Sequence, residues 1–246
     1  TEVYREVFAI LKADDEYEKL VFITGITKFT QISLFSVLNN LTNISFLPEY
    51  AAICGITEQE IADNFKPELE RMAEVNGWSL QETHDKLKDY YDGYHFSRRN
   101  MVDIYNPFSL INALDTQELG NFWAASGSTS MIAKFIDNIE LRLSYFEQCT
   151  IMRNILELSD VTGGGAELFL YQSGYLTIKK YDEFGYILGV PNEEVKQALY
   201  EMATAKKQII ANQYLEPFKA DKRKAIGLAV ELDEKGKGLI DWEEVD

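Results

Sequence analysis

Few residues of this chain stand in a spacing that could do chemistry, and the spacing argues against most of them. Glu194-Val195-Lys196 spells the acidic-x-Lys tripeptide with which metal nucleases hold magnesium and steady the attacking water. It follows Pro191-Asn192, however, which reads as a helix start, whereas nuclease chemistry places that tripeptide on a strand. Leu228 to Glu234 has the outline of an apolar strand ending in carboxylates, the part of a nucleotide hydrolase that holds metal and polarises water. Glu231 interrupts it and Gly236 and Gly238 follow, so it reads as one arm of a hairpin. No glycine loop ending in Lys and Ser/Thr occurs, and Gly163-Gly164-Gly165 is followed by Ala-Glu-Leu with no cation to meet a phosphate. It reads as a linker.

The two histidines, His84 and His95, lack metal-ligand spacing, and no nucleophile elbow G-x-S-x-G is present. Cys54 and Cys149 lie far apart, with neither a disulfide framework nor a zinc pattern, which is the usage of a reducing compartment. No catalytic residue and no metal ligand is assigned. Thr24 remains, a hydroxyl at the carboxyl end of the apolar run Val21-Phe22-Ile23 and just before Gly25. Ligands of open α/β sheets gather at such strand ends.

Charge narrows the partners. The chain has 24 Lys and Arg against 40 Asp and Glu, a net −16, which opposes a broad nucleic-acid surface because phosphate backbones are bound through Lys and Arg. Ser97-Arg98-Arg99 and Lys219 to Lys224 are the local basic stretches, and both read as solvated turns. No apolar run approaches the length that crosses a bilayer. The expectation is a cytoplasmic protein that engages no membrane.

The elements that must position these residues follow from periodicity and caps. Residues 2–13 place Val3, Val7, Ile10 and Leu11 on one helical face, and the apolar run then predicts a buried strand with partner strands from outside this sequence. Pro48 opens a helical region in which Thr57 with Glu60, and Ser79 with Glu82, predict capping boxes. Asn106-Pro107 predicts a helix through Leu114, and Ser126 to Ile136 a further one. A hairpin is expected around Asp182 to Gly185, then a helix from Asn192 to about Tyr214, and strands at 225–232 and 239–242. The fold class is mainly α with some β, an α/β fragment. It comprises an α/β part over 1–45 with one sheet strand, a helical lid over 46–174, and a small α+β remnant over 175–246.

Several blocks together resemble the bacterial AAA-ATPase-like family. They are Phe22-Ile23-Thr24-Gly25-Ile26-Thr27-Lys28-Phe29, Ser33-Leu34-Phe35-Ser36, and Leu38 through Ser45 with its Asn39-Asn40 pair. Further along come Tyr90-Tyr91-Asp92-Gly93-Tyr94-His95-Phe96, Tyr105-Asn106-Pro107-Phe108-Ser109, Phe122-Trp123 with Ser126-Gly127-Ser128, and Tyr171-Gln172-Ser173-Gly174-Tyr175-Leu176-Thr177-Ile178. Members are P-loop ATPases, many fused to a C-terminal restriction-endonuclease-like domain.

The resemblance implies that both nucleotide-gripping motifs lie N-terminal to this sequence, that Thr24 occupies a sensor position near the terminal phosphate, and that Lys28 occupies a position usually basic in the family. It implies no cofactor held by this chain alone, with ATP and magnesium belonging to a longer parent. Residues from about Ala205 to Trp242 resemble the end of the nuclease domain with its catalytic centre missing. The resulting expectation is a non-catalytic fragment of an ATP-binding protein, the parent coupled to a nuclease. The alternative is an acidic helical module that binds a protein partner and no nucleotide.

Overall fold

The computed structural model describes residues 6, 9–10, 13–14, 16–25, 41–123, 148–158, 165–201, 227–232 and 239–245. The fold is mixed α and β, assembled as two compact units from interleaved segments. One unit comprises Thr1–Ile53, His95–Val102 and Gln148–Gly189, and the other Cys54–Tyr94, Asp103–Glu147 and Val190–Asp246.

The second unit includes, among the described residues, the helices α1 (Glu58–Asn64), α2 (Lys66–Asn76), α3 (Leu80–Tyr91) and α4 (Pro107–Thr116). Their starts are set by local chemistry. Thr57 and Glu60 form the reciprocal capping box, which satisfies two N–H groups that a helix start leaves open. Asn106 accepts from the N–H groups of Phe108 and Ser109, with Pro107 in the first helical position. At α3 only half of the expected box forms. Ser79 accepts from Glu82 N at 3.1 Å, but the Glu82 carboxylate lies 3.7 Å from Lys86 instead, since a lysine one turn ahead competes for it.

Ile61, Leu69, Met72, Leu87, Tyr91, Tyr105, Leu110, Ala113 and Leu114 pack as the core of this unit. Tyr91 anchors it at both ends: its ring is fully buried, while its hydroxyl donates to Gly120 O at 3.0 Å and accepts from Gly120 N at 2.9 Å. The short bridges Ile56 with Tyr105 and Tyr94 with Ile104 run through a region that the sequence reads as purely helical. A further helix, α7 (193–201), starts at Asn192, whose side chain accepts from Val195 N at 3.1 Å and donates to Asp92 O at 3.0 Å.

In the first unit the expected hairpin joins β2 (Thr177–Asp182) to β3 (Gly185–Gly189). Asp182 closes its turn by accepting from Phe184 N at 2.9 Å. A third antiparallel strand, β1 (Cys149–Ile151), pairs with β3 and gives the order β1-β3-β2. At three residues it is too short for alternation to mark it in sequence. Helices α5 (Arg153–Leu158) and α6 (Gly165–Gln172) bury Leu156, Leu168, Phe169 and Leu170, and Tyr175, Ile178, Tyr186 and Leu188 are buried as well. In the second unit a separate antiparallel pair, β4 (Gly227–Leu232) with β5 (Leu239–Val245), matches the two strands read near the C-terminus.

Candidate functional site

Thr24 is exposed. It ends the apolar run at Leu20 to Ile23, of which Leu20 is 81%, Phe22 56% and Ile23 41% exposed. The expected strand does not form: residues 20–25 pair with no other strand among the described residues. A strand exists only where neighbours take up its N–H and C=O groups, and no described segment does so here. Ile10, on the preceding helical stretch, is likewise 60% exposed. Lys28, Asn39, Asn40, Lys219 to Lys224 and the helix read at 126–136 lie outside the described residues.

The second unit holds a polar chain that the sequence did not single out. Glu58, in the first turn of α1, takes His84 Nδ1 at 2.8 Å on one carboxylate oxygen and the Tyr105 hydroxyl at 2.5 Å on the other. A carboxylate that fixes one ring nitrogen leaves the other to move a proton, which is the orienting half of a nucleophilic triad. Among the described residues no hydroxyl or thiol is hydrogen-bonded to the remaining nitrogen. The dyad joins α1 to α3, and it engages no nucleophile among the described residues. Tyr105 is buried, and burial followed by the Glu58 carboxylate holds its phenol protonated far above the ordinary range.

His95, in the first unit, spends its polar groups along β2. Its backbone N–H donates to the Thr177 hydroxyl at 2.7 Å, and its ring Nδ1 lies 2.9 Å from Ile178 O.

Glu194 and Lys196 of the acidic-x-Lys tripeptide do not converge. Residues two apart on a helix point to different sides. Glu194 is completely buried, whereas Lys196 reaches back to Glu193 at 2.9 Å. The Glu194 Oε1 accepts from the Ser109 hydroxyl at 2.9 Å and from Trp123 N at 2.8 Å, while Oε2 has no hydrogen-bond partner. Burial raises its pKa, against the lowering effect of those donors and of Phe122 N–H. Asp92, 2% exposed, is raised as well, by burial first, with Lys88 Nζ 3.8 Å away as the compensating charge.

An open depression of about 580 Å³ on this unit is lined by Lys86, Asp89, Tyr90, Leu119, Glu193 and Lys196 among others. Its lysines are offset by Asp89 and Glu193, so it offers no net positive field to phosphates. The described residues include no group of three or more His, Cys, Asp or Glu placed for a metal. No described helix is long and apolar enough to cross a membrane.

Comparison with known proteins gives one relative to report. The "Uncharacterized protein in vnfD 5'region" of Azotobacter chroococcum mcd 1 is 29% identical over 201 residues, which span 80% of this chain and 36% of that protein. The chain thus spans about a third of that relative's length. No family model and no solved structure matches.

Proposed function

We propose that this chain is the sensor-strand and helical-lid portion of an ATP-binding protein of AAA type, with no catalysis of its own. The observation that carries the reading is the uncovered apolar run at Leu20 to Ile23, ending in the exposed hydroxyl of Thr24. Each large apolar side chain of that run would gain about 1.5–3 kcal/mol on burial. A sheet contributed by further polypeptide would supply that burial, and Thr24 would then stand at the carboxyl end of an internal strand, where nucleotide phosphates gather. Lys28 follows four residues later with a charge of the right sign. The Glu194 geometry supports a non-catalytic role for the C-terminal part, and the proposed parent is a cytoplasmic ATPase coupled to a nuclease elsewhere in its sequence. The net charge of −16 speaks against nucleic acid as a ligand of this portion.

The test is Thr24→Val in the longer protein, which keeps the branched shape of a strand residue and deletes the hydroxyl. Loss of a hydrogen bond to a charged group, about 1.5–3 kcal/mol, lowers ATP turnover roughly ten- to a hundredfold, with ATP affinity changed less. Unchanged turnover in a folded variant would leave Thr24 an ordinary strand-end residue. Magnesium-dependent ATPase activity of the present chain alone, lost on substituting its own residues, would instead overturn the absence of catalysis.

A second reading, an acidic module that binds a protein partner, draws on Phe108 and Ile111. They lie one turn apart on α4 and are 50% and 49% exposed. Failure of the longer protein to bind ATP, with partner binding lost in a Phe108→Ser variant, would favour it.

A further inference from the structure

The Ser97-Arg98-Arg99 turn reads from sequence as solvated, yet Arg98 is packed. Its guanidinium lies over the Tyr181 ring, 4.6 Å from the centroid, and its Nε is 4.0 Å from Glu157 Oε1. Arg153, on α5, brings its own Nε to 3.0 Å from both Glu157 oxygens. The Tyr186 hydroxyl donates to Glu157 Oε1 at 2.5 Å, and the rings of Tyr181 and Tyr186 meet edge-on at 4.9 Å. Arg98, Tyr181, Tyr186 and Glu157 thus close a ring of contacts, with Arg153 attached from the side.

A structural ion pair would need one cation, and here two guanidiniums face a single carboxylate. Each turns to it only the Nε at the base of its fork. The terminal nitrogens of both side chains donate no hydrogen bond among the described residues. They are reachable as well, since the Arg153 side chain is 54% exposed and that of Arg98 22%. Guanidinium forks are shaped to give paired N–H bonds to a tetrahedral or planar oxyanion. An aromatic face beneath one of them fixes its plane and lowers the entropy lost on binding.

We propose that Arg98 and Arg153 form a binding site for the phosphate group of a small ligand, free phosphate or a phosphomonoester, with Glu157 as the positioning residue that aims both. Among the described contacts, two cations share one carboxylate, a balance that favours an added anion. A chain of net −16 repels a polyanion such as nucleic acid far more than it repels one phosphate, so the site selects a small molecule. The proposal does not depend on the ATP reading above, because every residue it uses is in place in this chain.

Calorimetric titration of the full chain with inorganic phosphate, and separately with AMP, at ionic strength held constant with chloride, tests the site. Saturable binding is expected. Tighter binding of AMP would identify a nucleotide-like phosphomonoester, and equal or weaker binding would identify free phosphate. Arg153→Gln weakens binding by at least about tenfold, the scale of one charge-assisted fork. Arg153→Lys, which keeps the charge and loses the fork, also weakens it. Lys180→Gln, an exposed cation on β2 outside the ring, leaves it unchanged. Absence of saturable phosphate binding would overturn the proposal, as would equal affinity in Arg153→Gln or an equal loss in Lys180→Gln. Arg153 is half exposed, so its variants fold even if Arg98→Gln does not.

Discussion

Ser109 on α4 donates its hydroxyl proton to Glu194 Oε1 on α7 across 2.9 Å, a bond between residues 85 apart in the chain. The carboxylate receiving it is completely buried, and among the described residues its hydrogen-bond partners are hydroxyl and N–H donors. Its folded pKa lies above the ordinary 4.5, with burial the main cause. The folded state therefore holds this proton more tightly than the unfolded chain, and stability from this group is fully present below pH 4.5 and is lost as pH rises through the raised value. Denaturant midpoints measured from pH 4 to 7 for wild type and Glu194→Gln should diverge in that direction, the wild type losing stability relative to the glutamine variant as pH rises. Asp92 titrates in the same sense, so the difference between the two proteins isolates Glu194. Glu194→Ala should cost about 1–3 kcal/mol for each donor left unsatisfied.

Thr57 and Glu60 give the opposite pH sign. The N–H and hydroxyl of Thr57 hold the Glu60 carboxyl below its ordinary value, so its contribution is present above pH 4.5 and is lost as pH falls through the lowered value. Thr57→Ala removes the cap and should lower stability by about 1 kcal/mol at pH 7. The loss should shrink at low pH, which chemical denaturation at pH 7 and pH 3 would read directly.

Removing the Tyr91 hydroxyl leaves both the N–H and the C=O of Gly120 without that partner. Tyr91→Phe keeps the buried ring and should still cost about 1–3 kcal/mol. An unchanged melting temperature would mean that water replaces both bonds.

Two glycines separate backbone conformation from crowding. Gly77 ends α2 at φ +69, and a Cβ there would meet nothing within 4 Å. Gly77→Ala should therefore cost only the left-handed conformation, about 1–2 kcal/mol. At Gly185, φ +138, a Cβ would stand 2.3 Å from the Ile151 carbonyl oxygen on the neighbouring strand. Gly185→Ala must push β1 away from β3, and its loss of stability should exceed that of Gly77→Ala. Equal losses in the two variants would contradict the close β1–β3 approach.

What the sequence disclosed was decided within a few residues of itself. The Thr57 box, the Asn106 cap and the turn at Asp182 each bond to positions two or three residues on, so residue type and spacing suffice to read them. Arg98 was misread because its neighbours in sequence are polar, while the ring that covers it, Tyr181, arrives on β2. Glu194 was placed at a helix start correctly, but its burial depends on Ser109 and Trp123, which no local pattern reveals. At residues 20–25 the apolar pattern predicted a strand, and pattern alone could not supply the neighbouring strands that pairing requires.

The interleaving of the two units bears on the order in which the chain can fold. In the first unit, Ser97 reaches Phe46 across 51 positions, Asn100 reaches Pro48 across 52, and His95 reaches Thr177 across 82. Contacts this distant in sequence carry a large loop-closure cost before they return any energy, which slows folding. During synthesis from the N-terminus, the segment ending at Ile53 emerges long before residues 148–189 that complete its unit. The helices α1 to α4, with contacts closed within about sixty residues, can consolidate first, and about eighty further residues must emerge before Thr177 of β2 exists to receive His95.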